Sequence, residues 1–135
     1  MILVDSNVLS ELTKPTPDEK VIQWLRQHEQ ALVVNPIILG EIEYGILTMP
    51  AGRRRTRMEG WYARVIQTLE VVNVDKETAA AWARLLASLK KRGLAMPIKD
   101  SLIAATAIAH GFQIATRNTA DFKNAAVPVE NPFSP

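Results

Sequence analysis

The most constraining feature of the sequence is its first few residues, where the apolar, largely β-branched run Ile2-Leu3-Val4 stops at Asp5, followed by Ser6 and Asn7. Such a run has no polar alternation and so predicts a strand buried on both faces. The polar trio at its end suits the N-cap of a helix covering Val8, Leu9 and Leu12. A carboxylate is thereby delivered to the C-terminal end of a buried strand, and in open α/β sheets the crevice beyond those ends is where ligands bind. Taken singly, Asp5 reads more readily as a plain N-cap.

The same pattern recurs along the chain. A turn at Lys14-Pro15-Thr16-Pro17-Asp18 restarts a helix with Val21, Ile22, Trp24 and Leu25 on one side, ending near His28, which reads as a solvated helix end. Ala31–Val34 predicts a second strand, closed by Asn35-Pro36 and followed by a helix through Ile38, Leu39, Ile42 and Ile46. Glu41 and Glu43 flank the apolar stripe of this helix at about 100° on either side of Ile42, so periodicity leaves open which of them faces inward. Gly40 and Gly45 cost the helix about 1 kcal/mol each and suggest that a backbone or ligand approaches closely there. A basic run at Arg53, Arg54, Arg55 and Arg57 opens a long helix with Met58, Trp61, Tyr62, Val65, Ile66 and Leu69 at helical spacing. Cations at a helix N-terminus oppose the macrodipole, and the run reads either as a solvated face or as a phosphate-contacting patch.

Glu70–Val74 predicts a third strand, and Asp75 caps a helix from about Lys76 to Arg92 whose core face is Trp82, Leu85, Leu86 and Leu89. Leu102–Ala109 is apolar or small nearly all round, which marks a buried helix, yet Asp100 stands in its first turn. His110-Gly111 closes it, Phe112–Ala115 predicts a fourth strand, and a polar loop follows that carries Thr116, Asn118 and Asp121. Val127–Val129 reads as a short edge strand, and Pro132–Pro135 are expected to fray. Strands alternating with helices predict a three-layer α/β/α sandwich around a mainly parallel sheet of four to five strands, with residues 1–135 forming a single domain. At 135 residues and 47% hydrophobic content, a chain of this kind builds a real core. It has no cysteine, which removes disulfides, thiolate zinc sites and Cys nucleophiles. Its net charge is only +2, so bulk charge does not argue for nucleic acid. No window approaches the roughly 18 apolar residues of a membrane span, and the expectation is a cytoplasmic protein without a membrane partner.

Four separated blocks carry a resemblance: Met1–Leu12, Glu41–Ile46, Asp100–Ala105 and Thr116–Phe122. Together and in order they resemble the PIN-domain nucleases, and more narrowly the VapC toxins of bacterial type II toxin-antitoxin systems, in particular the FitB-like branch. The resemblance implies a ribonuclease toxin whose acids are Asp5, Glu41, Asp100 and Asp121, with Glu41 rather than Glu43 facing inward. It also implies an RNA substrate, a cognate antitoxin as protein partner and a homodimer, extending to a hetero-oligomer with the antitoxin. One departure from the family pattern is Asn35-Pro36-Ile37-Ile38, which lacks the hydroxyl residues often found at that helix entry.

The residue types suit that chemistry on their own terms. Oxygen ligands without a His or Cys cluster favour Mg²⁺ or Mn²⁺ over zinc. Four crowded carboxylates repel one another, raising some pKa values and favouring a cation, and a bound divalent ion activates water against a phosphodiester. Asp5 and Asp100 are the expected principal ligands, Glu41 and Asp121 ligands through water, and Asn7, Thr116 and Asn118 the groups that hold the acids. Two other classes compete. A phosphoacceptor or haloacid-dehalogenase-like phosphatase domain would use Asp5 with Mg²⁺, the former phosphorylating Asp75, but both want a further acid close to Asp5 where this chain has Ser6 and Asn7. A catalytically silent binding module of the same fold is the other.

Overall fold

A computed structural model describes all residues 1–135. Five parallel strands, β1 (Ile2–Val4), β2 (Leu32–Val34), β3 (Glu70–Val71), β4 (Gln113–Ala115) and β5 (Val129–Glu130), form one sheet in the order β3-β2-β1-β4-β5. Ile2, Leu3 and Val4 are all buried, as are Leu32, Val33 and Val34. Because successive strand side chains point to opposite faces, burial of every residue means that the sheet is covered on both sides. The expected three-layer architecture is therefore present.

Six α-helices connect and cover the strands: α1 (Ser6–Leu9), α2 (Glu19–Gln27), α3 (Pro36–Leu47), α4 (Arg53–Arg64), α5 (Lys76–Lys91) and α6 (Ile98–His110). The capping chemistry behaves as the residue types dictate. Asp5, Asp18, Asn35 and Asp75 each accept a backbone N–H in the first turn of α1, α2, α3 and α5. Gly111 takes the left-handed conformation (φ 71°) that closes α6. Asn35 also answers for the hydroxyl group missing at the entry to α3: its Nδ2 donates to Thr106 Oγ1 of α6 (3.0 Å) while its Oδ1 accepts from Ile38 N (2.9 Å).

Several expectations need correction. The helix opened by the basic run stops at Arg64 and continues as a 3₁₀ turn (Ile66–Thr68), and no residue of α4 itself is fully buried. Met58, Trp61 and Tyr62 pack against the core only partly. The predicted third strand shrinks to Glu70–Val71, since β3 is the edge of the sheet. An added Cβ at Gly40 or Gly45 would point into open space, so no backbone of this chain approaches them closely, although Gly45 lines the cleft that holds Glu41. Trp82 does more than pack, its indole Nε1 donating to Ser101 Oγ at 2.9 Å. His28 is not simply solvated, because its ring stacks on Trp24 and its Nδ1 lies 2.8 Å from the Trp24 carbonyl. The C-terminal residues do not fray. Phe133 is buried under the guanidinium of Arg117, and Ser134 donates to Asp18 through both N (2.9 Å) and Oγ (3.0 Å).

Candidate active site

The chain leaves β1 toward β2 on one side and later returns to place β4 on the other, so the gap beyond the ends of β1 and β4 is the topological switch point of the sheet. Asp5 and Thr116 are the first residues past these two strands, and the register that pairs Val4 with Ala115 sets them side by side. Asp5 N donates to the Ala115 carbonyl at 2.9 Å, which carries the ladder one step beyond the strand.

The Asp5 side chain is buried at 5% exposure yet fully engaged. Oδ1 accepts from Ser6 N (2.8 Å); Oδ2 accepts from Thr116 Oγ1 (2.7 Å) and from Asn7 Nδ2 (3.3 Å). Thr116 Oγ1 in turn accepts from Asn7 Nδ2 and from Asn118 N (3.1 Å), and Asn7 Oδ1 accepts from Arg117 N (3.1 Å). A buried carboxylate held by several donors keeps one orientation, and the loop after β4 is tied to the start of α1 by the same bonds. Asn7 and Thr116 act through their side chains as expected; Asn118 contributes its backbone N–H.

Glu41 approaches from the middle of α3 and Asp100 from the first turn of α6. Glu41 is partly buried and Glu43 exposed, which answers the question that periodicity left open. Burial, then the charge of Asp5, then that of Asp100 push the Glu41 carboxyl above its usual range, with Lys99 opposing. Burial, Asp5 and Asp121 do the same to Asp100. Asp121 lies exposed in a 3₁₀ turn after β4, close enough for its charge to be felt at Asp100. The expected repulsion among the acids is thus present and falls on Glu41 and Asp100.

One participant was not visible in the sequence. Lys99, the residue before Asp100, reaches over α3 with Nζ 3.4 Å from Glu41 Oε2. The other oxygen, Glu41 Oε1, is buried without a partner. As the side chains stand, no three His, Asp or Glu residues anywhere in the chain converge tightly enough to grip a metal ion. The donor set is nonetheless oxygen-only, it carries excess negative charge, and one of its buried oxygens is unpartnered; all three properties fit a hard divalent cation contacted partly through water. Asp75, the phosphoacceptor of the rival reading, is spent elsewhere: it caps α5 through Thr78 and faces His110 at 4.0 Å.

Of the four arginines at the head of α4, Arg54 and Arg57 line clefts that lead toward Glu41, whereas Arg55 is occupied by the Met49 carbonyl (3.3 Å) and Glu59 (3.7 Å). Arg53 opens onto a further hollow with Gly52, Thr56 and Arg57, so Arg57 borders both spaces.

The fold and site together define a class: parallel α/β proteins with acidic side chains from several elements near the switch point of the sheet. Comparison with known proteins is more specific. The PIN domain model matches residues 2–128, and the chain belongs to the PIN domain family. VapC ribonuclease Y4jK of Sinorhizobium fredii is 39% identical, the alignment covering 100% of this chain and 99% of that one. Toxin FitB of Neisseria gonorrhoeae is 31% identical over 98% of this chain and 99% of its own. Among solved structures, FitAB bound to the IR36 DNA fragment superposes with a TM-score of 0.92 at 31% identity, covering 100% of this chain and 97% of that chain.

Proposed function

We propose that the protein is a divalent-metal-dependent endoribonuclease and the toxin of a type II toxin-antitoxin pair. The observation that carries this reading is the pairing of a rigidly held carboxylate, Asp5, with two acids of raised proton affinity, Glu41 and Asp100, at the switch point of the sheet. The ribonuclease and toxin names of the full-length relatives support it.

Asp5 and Asp100 would hold Mg²⁺ or Mn²⁺, with Glu41 and Asp121 reaching it through water. Such an ion, when bound, lowers the pKa of a coordinated water and steadies negative charge on a phosphodiester. The chain's own residues supply the rest. Thr116, Asn7 and Ser6 N fix the Asp5 oxygens, so little reorganisation is left for the moment of reaction. The unpartnered Oε1 of Glu41 offers a site for a proton leaving an attacking water. The ammonium of Lys99 already offsets part of the pocket's charge and stands where a phosphate oxygen would be drawn in.

The antitoxin is the expected protein partner, since the matching solved structures include complexes named for toxin-antitoxin systems. The protein pairs with a second copy of itself, with exposed Tyr44 and Leu47 on α3 as the apolar surface to be covered. The test is cleavage of single-stranded RNA by purified protein with Mn²⁺, Mg²⁺ or excess chelator. Cleavage should require the metal and vanish in Asp100→Asn. Metal-independent cleavage would overturn the mechanism, and failure to cleave any RNA with either metal would overturn the function.

A further inference from the structure

The surface beside Glu41 changes sign over a short distance. A cleft of about 260 Å³ is lined by Glu41 and Ser6 together with Lys14, Arg54 and Met58. A second hollow of about 570 Å³ is walled by Lys14, Arg54 and Met58 again and continues past Arg57 to Trp61. Shared walls make the two a single trough that runs outward from the acids between the segment after α1 and the exposed face of α4.

The cations in this trough are not equivalent. Lys14 is paired with the buried carboxylate of Glu11 at 2.9 Å, so its charge is largely spent. Arg54 and Arg57 have no ion-pair partner, and at i and i+3 they stand on one face of α4. Arg55, about 100° round the helix from Arg54, is held by Glu59 and the Met49 carbonyl, whereas Arg53, four residues before Arg57, borders a hollow with it. A ligand following the trough would thus meet an acidic, cation-binding end, two free guanidiniums, and then a partly exposed indole beside a thioether. Negative charge repeated along a strand with flat apolar groups between is the chemistry of a single-stranded nucleic acid.

We propose that this trough is the path of one RNA strand, its phosphates on Arg54 and Arg57 and a base against Trp61, with Arg55, already held by Glu59, off the path. The proposal rests on the ribonuclease reading for the identity of the strand. An acidic peptide segment is the competing occupant, but its carboxylates do not alternate with a flat ring at each step, as the phosphates and bases of a single strand do, to meet the guanidiniums and the indole in turn.

Binding of a short fluorescent single-stranded RNA, followed by anisotropy in chelator, tests it. Arg54→Gln and Arg57→Gln should each weaken binding and lower the salt slope by about 0.7. Trp61→Leu should weaken it about ten-fold and remove the quenching of intrinsic fluorescence by RNA. Arg55→Gln should bind as the wild type does. Because α4 has no fully buried residue, the arginine variants should keep the wild-type melting temperature. Wild-type affinity in both Arg54→Gln and Arg57→Gln, or an equal loss in Arg55→Gln, would overturn the path. So would variants that keep RNA affinity and instead lose the antitoxin. The chelator separates the two readings: wild type that binds RNA through Arg54 and Arg57 but never cleaves it with Mn²⁺ upholds the path and defeats the nuclease.

Discussion

Thr116→Val removes one oxygen from the centre of the site and nothing else of consequence, since valine matches the shape of threonine. The hydroxyl it deletes is fully buried, donates to Asp5 Oδ2 at 2.7 Å and accepts from Asn7 Nδ2 and Asn118 N. Loss of a hydrogen bond to a charged group costs about 1.5–3 kcal/mol. Asn118 is exposed and finds water in compensation, and Asn7 keeps Asp5, so these two donors add little. The expected loss is about 2–3 kcal/mol, or about 7–10 °C in melting temperature at roughly 3–4 °C per kcal/mol for a chain of this length. Thr116→Ser keeps the oxygen and loses only a methyl, at about 1 kcal/mol. Thermal denaturation in chelator separates the variants, and cleavage assayed well below both transitions should fall in Thr116→Val and persist in Thr116→Ser. If Thr116→Val were as stable as Thr116→Ser, or cleaved RNA as fast as the wild type, the hydroxyl would not be what holds Asp5.

The raised pKa values of Glu41 and Asp100 mean that without metal the folded chain binds these protons more tightly than the unfolded chain. Their contribution is thus most favourable at low pH and is lost as pH rises from the ordinary carboxylate range through the raised values. Glu41→Gln and Asp100→Asn should each stabilise the chain in chelator at neutral pH, by less than about 1 kcal/mol after solvent screening and seen as a higher melting temperature, and the gain over wild type should shrink on acidification; a gain that grew instead would reverse the assignment. Lys99→Gln removes a cation from the pocket and should tighten Mn²⁺ binding measured by calorimetry, whereas unchanged or weaker affinity would show that Lys99 does not compete with the metal. Phe133→Ala should cost about 2 kcal/mol in urea denaturation, because the C-terminal segment is docked; a loss near zero would mean that the docking contributes nothing to stability.

The parts of this molecule that were legible in its sequence are those where local chemistry and tertiary position agree. Asp5 ends a strand with no polar residue, and Asp100 enters a helix that is apolar nearly all round, so each stands out against its own segment. Glu41 does not, because Glu43 is its mirror image about Ile42, and only packing of α3 against the rest of the fold distinguishes them. Lys99 is one lysine in a polar first turn; its meaning comes from Glu41, far away in sequence, and no local pattern announces it. The dense Pro132–Pro135 segment reads as a loose tail because its composition hides one anchor, Phe133, whose partner Arg117 lies in a distant loop. The glycines of α3 show the converse failure: a helix penalty suggested a close approach, and no backbone of this chain comes near them.

The central claim is that Asp5, Glu41, Asp100 and Asp121 form one cation-binding pocket, although no three of them are drawn together as the side chains stand. Titration of the metal-free protein with Mn²⁺, followed by electron paramagnetic resonance of the free ion without RNA present, tests it most directly. The account predicts saturable binding that Mg²⁺ competes away and that Asp100→Asn abolishes while the fold is retained. Wild-type Mn²⁺ binding in Asp100→Asn, or no saturable binding in the wild type, would contradict it.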